Sequence, residues 1–244
     1  MALRCISLIL GCFALMSAPL SAASPKPGSL TEGSATVKND SGSTSSMGFW
    51  TWLPKAEKPA AGWPLLVFLH GAGERGTDLN LVKKHGPPKL AGQKPVMDSF
   101  FMLAPQCPTG RWWDVVAVKD LIDQTLASQP VDPKRVYITG ISMGGFATWA
   151  LLKDYPTLMA AAVPICGGGD PASVSRFTSV PVWAFHGDKD EAVPAQRSID
   201  MVEALKQAKG DIRFTLYPGV THDCWTRTFE NPELYEWLLK HQRK

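Results

Sequence analysis

The chain has 244 residues, of which 45% are hydrophobic and 19% charged, and its formal net charge is +3. This length and composition are typical of a single α/β domain with a core large enough to stand without disulfide bridges. No run of basic residues exceeds Lys83-Lys84, which argues against a nucleic-acid-binding stripe or a polybasic membrane anchor. The sequence contains no pattern that predicts the oligomeric state.

The N-terminus has the features of a signal peptide over residues 1–23. Arg4 supplies positive charge, the apolar stretch over residues 5–16 is too short to span a bilayer, and small residues allow cleavage after Ala23. A buried helix, or a lipoprotein acylated at Cys12, are the alternatives. We therefore expect an exported protein, periplasmic or secreted, with no stable membrane insertion.

Residues 24–46 are rich in Ser, Pro, Gly and Thr, and this composition predicts an exposed, loosely ordered lead-in. The three cysteines that follow the signal peptide, Cys107, Cys166 and Cys224, allow at most one disulfide bridge, and all three pairings remain open. Because the chain contains neither a C-x-x-C nor an H-E-x-x-H motif, we expect no metal site.

From residue 47 onward, apolar runs that predict strands alternate with segments of helical periodicity. Strands are expected at residues 47–54, 64–70, 99–105, 135–140, 159–166, 180–187 and 212–219. Helices are expected after Asp114, over residues 144–154, after Pro194 and after Asn231. This alternation predicts one α/β domain over residues 47–244, with a mostly parallel central sheet and helices on both faces.

The stretch LLVFLHGAGERG contains Gly71-x-Gly73-x-x-Gly76, which is the spacing of a dinucleotide-binding loop. Gly76, however, opens no long helix, and the next strand ends without an acidic residue, so both contexts that this function needs are missing. The alternative is a loop that turns a backbone N–H towards a developing oxyanion. Ala72 is the predicted donor, with Gly73 the neighbouring possibility.

The stretch VYITGISMGGFATW contains a G-x-S-x-G motif between a predicted strand and a predicted helix. At such a corner the serine is forced into an unusual backbone geometry, and the flanking glycines remove side chains that would collide. Ser142 is therefore the predicted nucleophile, and the N–H of Met143 is the predicted second oxyanion donor. An ordinary glycine-rich turn is the structural alternative.

A serine needs a base, and the chain has five histidines. His70 and His186 each precede a glycine at a strand end and are expected to be structural. His85 lies in a loop and His241 in the C-terminal tail. His222 follows the last predicted strand, where the chain order serine, acid, histidine places the base.

The acid that orients the base is expected after the preceding strand. Asp190 has a loop long enough to reach His222, whereas Asp188 directly follows a glycine and is expected to shape the turn. Asp170 is a weaker candidate, for which a helix cap is the structural alternative. Asp223 adjoins the histidine and is poorly placed to bond its ring.

These segments resemble the α/β-hydrolase superfamily, in the branch of small bacterial esterases described as predicted peptidases, phospholipase/carboxylesterases or polyhydroxybutyrate-depolymerase-like esterases. The resemblance is carried by LHGAGERGTD, LAPQCP, GISMGG, HGDKDEAVP and THDCW, which lie between residues 69 and 225 in the order that the family shows. It implies an α/β-hydrolase fold with Ser142, Asp190 and His222 as the catalytic triad, and it supports the oxyanion assignment. The chain has no insertion large enough for a lid domain.

Together these observations predict a serine hydrolase that cleaves small-molecule or polymer-borne carboxylic esters through an acyl-enzyme, without metal or organic cofactor. A serine peptidase, an acyltransferase and a non-catalytic binding module are the alternatives. Trp112, Trp113 and Trp225 lie near the predicted site, and Trp113 is the predicted substrate-binding residue, with packing against the core as its alternative role.

Overall fold

The structure is a computed structural model that describes residues 21–22 and 24–243. The predicted signal peptide lies outside the described residues except for Ser21 and Ala22, which pair with Ser34 and Gly33. None of the helices in the described ranges is long and apolar enough to cross a membrane.

A nine-stranded sheet forms the centre of the domain, in the order β1-β2-β3-β5-β4-β6-β7-β8-β9. The six neighbouring strands β5, β4, β6, β7, β8 and β9 pair in parallel. Strands β1, β2 and β3 form an antiparallel edge, and β3 pairs with β5 in the antiparallel sense. The strands are β1 Ser21–Ala22, β2 Leu30–Lys38, β3 Thr44–Trp52, β4 Trp63–Leu69, β5 Phe101–Pro105, β6 Val131–Ile141, β7 Ala161–Ile165, β8 Val182–Gly187 and β9 Ile212–Tyr217.

Helices cover both faces of this sheet, as the sequence predicts. They are α1 Gly86–Leu90, α2 Val115–Ser128, α3 Met143–Asp154, α4 Gln196–Gln207, α5 Trp225–Glu230 and α6 Pro232–Leu239. Short 3-10 turns occupy Ala72–Glu74, Leu79–Lys84, Pro95–Ser99 and Pro171–Arg176. The side chain of Asp114 caps α2 and that of Asn231 caps α6, as their positions before the helical patterns predict.

Strand β4 shows why the central runs are apolar throughout, since all seven of its residues are buried. Leu65 and Val67 pack into a core with residues of α2, α3 and α4, whereas Leu66 and Phe68 pack into a second core with residues of α1, α5 and α6. A strand covered on both faces has no polar side to alternate with.

The prediction of a loosely ordered lead-in over residues 24–46 is wrong for most of that segment. Leu30–Lys38 forms β2, which pairs along its whole length with Thr44–Trp52. Ala35 and Val37 are buried in the core, so the domain begins before residue 47. The composition misled because only one face of this antiparallel strand is covered, and the other face is polar.

Within the described residues, the segments between the strands form short helices and turns, and none of them builds a separate lid domain. The fold is that of an α/β hydrolase, and its parallel strands bring the loops that follow β4, β6, β8 and β9 to one edge of the sheet.

Candidate active site

The turn between β6 and α3 holds Ser142 in a backbone conformation that is rare for a residue with a side chain. Its φ is 52° and its ψ is −116°. A Cβ on Gly140 would overlap the backbone of Gly144, and a Cβ on Gly144 would overlap the carbonyl oxygen of Leu69. The glycines of the G-x-S-x-G motif are therefore required by close backbone packing, as predicted, and the serine is held at a strained corner.

The structure brings together Ser142, Asp190 and His222. The Nε2 atom of His222 lies 3.0 Å from Ser142 Oγ, and its Nδ1 atom lies 2.7 Å from Asp190 Oδ2. The Asp190 side chain has no exposed surface, whereas 27% of the His222 side chain is exposed. An acid, a ring and a hydroxyl in this order can transfer a proton from serine to histidine.

Asp190 is fixed by its own loop. Its Oδ1 atom accepts hydrogen bonds from the backbone N–H groups of Ala192 and Val193, at 3.0 and 2.8 Å. These bonds turn the carboxylate so that Oδ2 faces His222. The other two candidate acids have local roles, since Asp188 accepts a bond from Gly219 N at 2.6 Å and Asp170 caps the 3-10 turn Pro171–Arg176.

His186 was expected to be structural, and it is fully buried, but it also contacts the acid. Its Nε2 atom lies 3.2 Å from Asp190 Oδ2 and 2.9 Å from the carbonyl oxygen of Val193. Its Nδ1 atom lies 2.7 Å from Ser198 Oγ. Burial lowers the pKa of His186, although hydrogen bonding to Val193 and the charge of Asp190 oppose this effect.

The two predicted oxyanion donors are unpaired amides beside the nucleophile. Ala72 begins the 3-10 turn after β4, and Met143 begins α3. In the part of the chain that the structure describes, neither amide donates to a protein acceptor, and the same is true of Gly73. Both Ala72 and Gly73 are exposed. The geometry leaves Ala72 and Gly73 open as alternatives.

His70 connects this oxyanion loop to its neighbours. Its Nδ1 atom lies 2.6 Å from Gly71 O, and its Nε2 atom accepts the N–H of Cys107 at 2.9 Å. Burial lowers its pKa to about 4. A neutral ring with the proton on Nδ1 satisfies both contacts, so His70 holds the loop in place as a structural residue.

The position of Trp113 favours the packing role over the predicted substrate-binding role. Trp113 is 8% exposed, and its indole N–H donates to the carbonyl oxygen of His70 at 3.1 Å. It packs on the His70 ring, at 4.8 Å between centroids. Its neighbour Trp112 is 67% exposed and contacts Phe146 of α3 edge-on. Adjacent residues point in opposite directions, which the sequence alone left undecided.

Three contacts link Glu74, His85 and Trp225 to the catalytic base, and the sequence does not predict the roles of Glu74 and His85 in them. The loop that contains His85 packs at the site, where Trp225 Nε1 donates to His85 Nδ1 at 3.3 Å. Trp225 also meets the ring of His222 at 5.2 Å between centroids. Beside them, the Glu74 carboxylate lies 3.6 Å from His85. The sequence signal that indicates a role for Glu74 is the presence of an acidic residue inside the predicted oxyanion loop.

The three described cysteines are free and buried. Cys166 Sγ accepts the N–H of Ser142 at 3.2 Å, and burial together with a hydrogen bond to Cys224 raises the pKa of Cys166 well above its usual value. Cys166, Asp190 and His222 offer ligand atoms within 4.8 Å of one another. All three side chains are engaged in hydrogen bonds, Cys166 with the N–H of Ser142, Asp190 with His222 and His222 with Ser142.

Comparison with known proteins agrees with this geometry. The sequence profile of the dienelactone hydrolase family matches residues 109–232, just over half of the chain, and this range includes all three residues of the Ser142–His222–Asp190 arrangement. A thermostable esterase of known structure superposes with a TM-score of 0.79 at 36% identity, over 86% of this chain and 63% of that one.

Two curated relatives share shorter regions. The bifunctional acetylxylan esterase/xylanase XynS20E of Neocallimastix patriciarum is 30% identical over 71% of this chain and 26% of its own. Poly(3-hydroxyalkanoate) depolymerase C of Paucimonas lemoignei is 33% identical over 32% of this chain and 19% of its own. This chain thus spans about a quarter or less of the length of these two relatives. From the profile match and the shared architecture, the chain belongs to the dienelactone hydrolase family of α/β hydrolases.

Proposed function

We propose that the protein is a serine esterase that hydrolyses carboxylic esters through a covalent acyl-enzyme intermediate. The observation that carries this proposal is the continuous hydrogen-bonded path from Asp190 through His222 to Ser142 at the strained corner after β6. A path of this kind has a clear chemical use, because an isolated serine hydroxyl is a weak nucleophile at neutral pH.

The reaction has two steps. Ser142 Oγ attacks the ester carbonyl while His222 Nε2 takes the hydroxyl proton, and the oxyanion is received by the N–H groups of Ala72 and Met143. His222 then gives the proton to the departing alcohol, which leaves an acyl group on Ser142. A water molecule attacks this acyl-enzyme with His222 again as base, and the carboxylic acid and the free serine are released.

Asp190 serves both steps without exchanging a proton. Its Oδ2 atom accepts the Nδ1–H of His222, which fixes the tautomer whose Nε2 faces Ser142. Its negative charge also stabilises the imidazolium that forms when Nε2 is protonated. Because Asp190 has no exposed side-chain surface, this charge is weakly screened by solvent.

The test is the Ser142→Ala variant of the mature protein, assayed with p-nitrophenyl acetate. We expect hydrolysis to fall to the uncatalysed background while the circular dichroism spectrum is unchanged. Ser45→Ala, at an exposed serine of β3, is the matched control and should keep wild-type activity. Wild-type rates in Ser142→Ala would reject the proposal. A p-nitroanilide series in the same assay tests the peptidase alternative.

A further inference from the structure

A nearly buried carboxylate lies beside the nucleophile, and ester hydrolysis as described does not use it. Glu74 ends the 3-10 turn Ala72–Glu74, and 9% of its side chain is exposed. Its Oε2 atom lies 3.3 Å from the point where a Cβ on Gly71 would stand, and the Cβ of Ser142 lies 3.6 Å from the same point. The carboxylate and the serine therefore flank one glycine of the oxyanion loop.

Within the described residues, no protein group donates a hydrogen bond to the Glu74 side chain. The nearest charge partner there is His85, whose Nε2 atom lies 3.6 Å from Glu74 Oε1, beyond hydrogen-bonding distance. The Glu74 oxygens are not among the fully enclosed unpaired atoms of these residues, so solvent reaches them. The carboxylate is thus an acceptor beside the reactive serine that a donor on a bound substrate can reach.

The neighbours of Glu74 continue as a wall towards the base; we call Glu74, His85 and Trp225 the Glu74 wall. Trp225 Nε1 donates to His85 Nδ1, so the proton of a neutral His85 is on Nε2, facing Glu74. The His85 and Trp225 rings meet edge-on at 5.4 Å between centroids, and Trp225 meets His222 at 5.2 Å. The wall thus runs from the oxyanion loop to the catalytic base.

The position of the wall indicates which part of an ester it would contact. His222 must deliver its proton to the departing alcohol, so the residues packed on His222 lie on the alcohol side of the reaction. A carboxylate accepts hydrogen bonds from hydroxyl groups, and an aromatic ring offers an apolar face to C–H groups. An acceptor and an aromatic ring side by side fit a polyhydroxy alcohol.

We propose that Glu74 is a specificity-determining residue that accepts a hydrogen bond from a free hydroxyl on the alcohol part of the substrate. The preferred substrates are then esters of sugar-like polyhydroxy alcohols rather than esters of alcohols without a further hydroxyl. This inference rests on the proposed esterase function and adds the class of alcohol to it.

The experiment compares two acetyl esters, an O-acetylated methyl xyloside and p-nitrophenyl acetate, by their kcat/KM. Glu74→Met removes the acceptor at similar length, and Glu74→Gln keeps a neutral one. Relative to wild type, the ratio of xyloside to p-nitrophenyl activity should fall tenfold or more in Glu74→Met, chiefly through KM, with Glu74→Gln between the two. Glu203→Met, at an exposed position of α4, is the control and should leave the ratio unchanged.

An unchanged ratio in both Glu74 variants would overturn the inference. So would a selective loss on acetylcholine, which lacks a free hydroxyl and would identify the site as one for cations. If Glu74→Met does not fold, Glu74→Gln decides by the same ratio. Wild-type protein that hydrolyses neither acetyl ester contradicts the proposed function itself, whereas hydrolysis of p-nitrophenyl acetate without any dependence of the ratio on Glu74 contradicts only this inference.

Discussion

The ring of His186 lies against the carboxylate of Asp190, with 3.2 Å between His186 Nε2 and Asp190 Oδ2 and no exposed surface on either side chain. Both atoms that face Nε2, this carboxylate oxygen and Val193 O, are hydrogen-bond acceptors, so Nε2 carries the proton. This polar N–H donates to Val193 O and lies beside Asp190 Oδ2, which itself accepts the Nδ1–H of His222. His186 is a positioning residue for the acid of the proposed triad.

Replacing His186 should therefore change the pH dependence of catalysis. In His186→Met the carboxylate loses the polar N–H group that lies beside it and holds the proton of His222 more strongly, so the acid limb of the kcat/KM profile should move to higher pH. His186→Gln, which can restore a donor at the same place, should move it less. Superimposable profiles for the three proteins would show that His186 only fills space.

The assignment of the acid can be tested by a matched pair of variants. Asp190→Asn keeps the size of the side chain but removes the charge that fixes the His222 tautomer, and we expect kcat to fall roughly 10³- to 10⁴-fold. Asp188→Asn is the control, because among the described residues the Asp188 side chain accepts only the backbone N–H of Gly219 and lies outside the path to Ser142. It should retain most of the activity. Loss of activity in Asp188→Asn together with retained activity in Asp190→Asn would assign the acid to Asp188 instead.

The oxyanion role of Ala72 can be tested by removing its amide hydrogen. Gly71 has φ −78° and ψ −178°, an extended conformation that is allowed before proline, and proline suits the first position of a helical turn. In Ala72→Pro we expect kcat to fall roughly 10²- to 10³-fold with little change in KM. Ala72→Ser keeps the N–H and should behave as wild type. Full activity in a folded Ala72→Pro would move the donor to Gly73.

The stability of the protein should depend on pH through His70. Burial lowers the pKa of His70 to about 4, from an ordinary value of 6.5, so the unfolded chain binds this proton more readily than the folded chain. The contribution of His70 to the free energy of unfolding should then be fully present above pH 6.5. It should be lost as the pH drops from 6.5 towards 4, which lowers the free energy of unfolding by at most about 3 kcal/mol.

Urea unfolding at pH 7 and pH 4.5 measures this effect. His70→Asn should be less stable than wild type at pH 7, because it loses the contacts to Gly71 and Cys107. Its free energy of unfolding should also change less between the two pH values. An equal pH dependence in both proteins would contradict a lowered pKa of His70 in the folded chain.

Local motifs made the centre of the site predictable from the sequence. The turn at Ser142 leaves no room for side chains two residues before and two residues after it, so the flanking glycines identify the serine. Asp190 and His222 follow their strands in a fixed order. The apolar runs of strands such as β4 were predictable for the same reason, since burial on both faces leaves a continuous hydrophobic pattern.

Features that depend on long-range packing were not predictable. Strand β2 was missed because a half-exposed edge strand has the polar composition of a loop. Trp113 and Trp112 are neighbours in the chain, and only the fold decides which ring turns towards His70 and which towards solvent. Glu74 and Trp225 come from opposite ends of the domain and meet through His85, a contact for which a single sequence has no local signal.

The central claim is that Ser142 becomes the site of a covalent acyl-enzyme, and intact-protein mass spectrometry with a fluorophosphonate probe measures this most directly. We expect one adduct per chain on folded wild-type protein, mapped to Ser142 by peptide sequencing. We also expect no adduct on Ser142→Ala and greatly slowed labelling of His222→Ala. A folded wild-type protein that stays unlabelled, or one labelled at another residue, would contradict this claim.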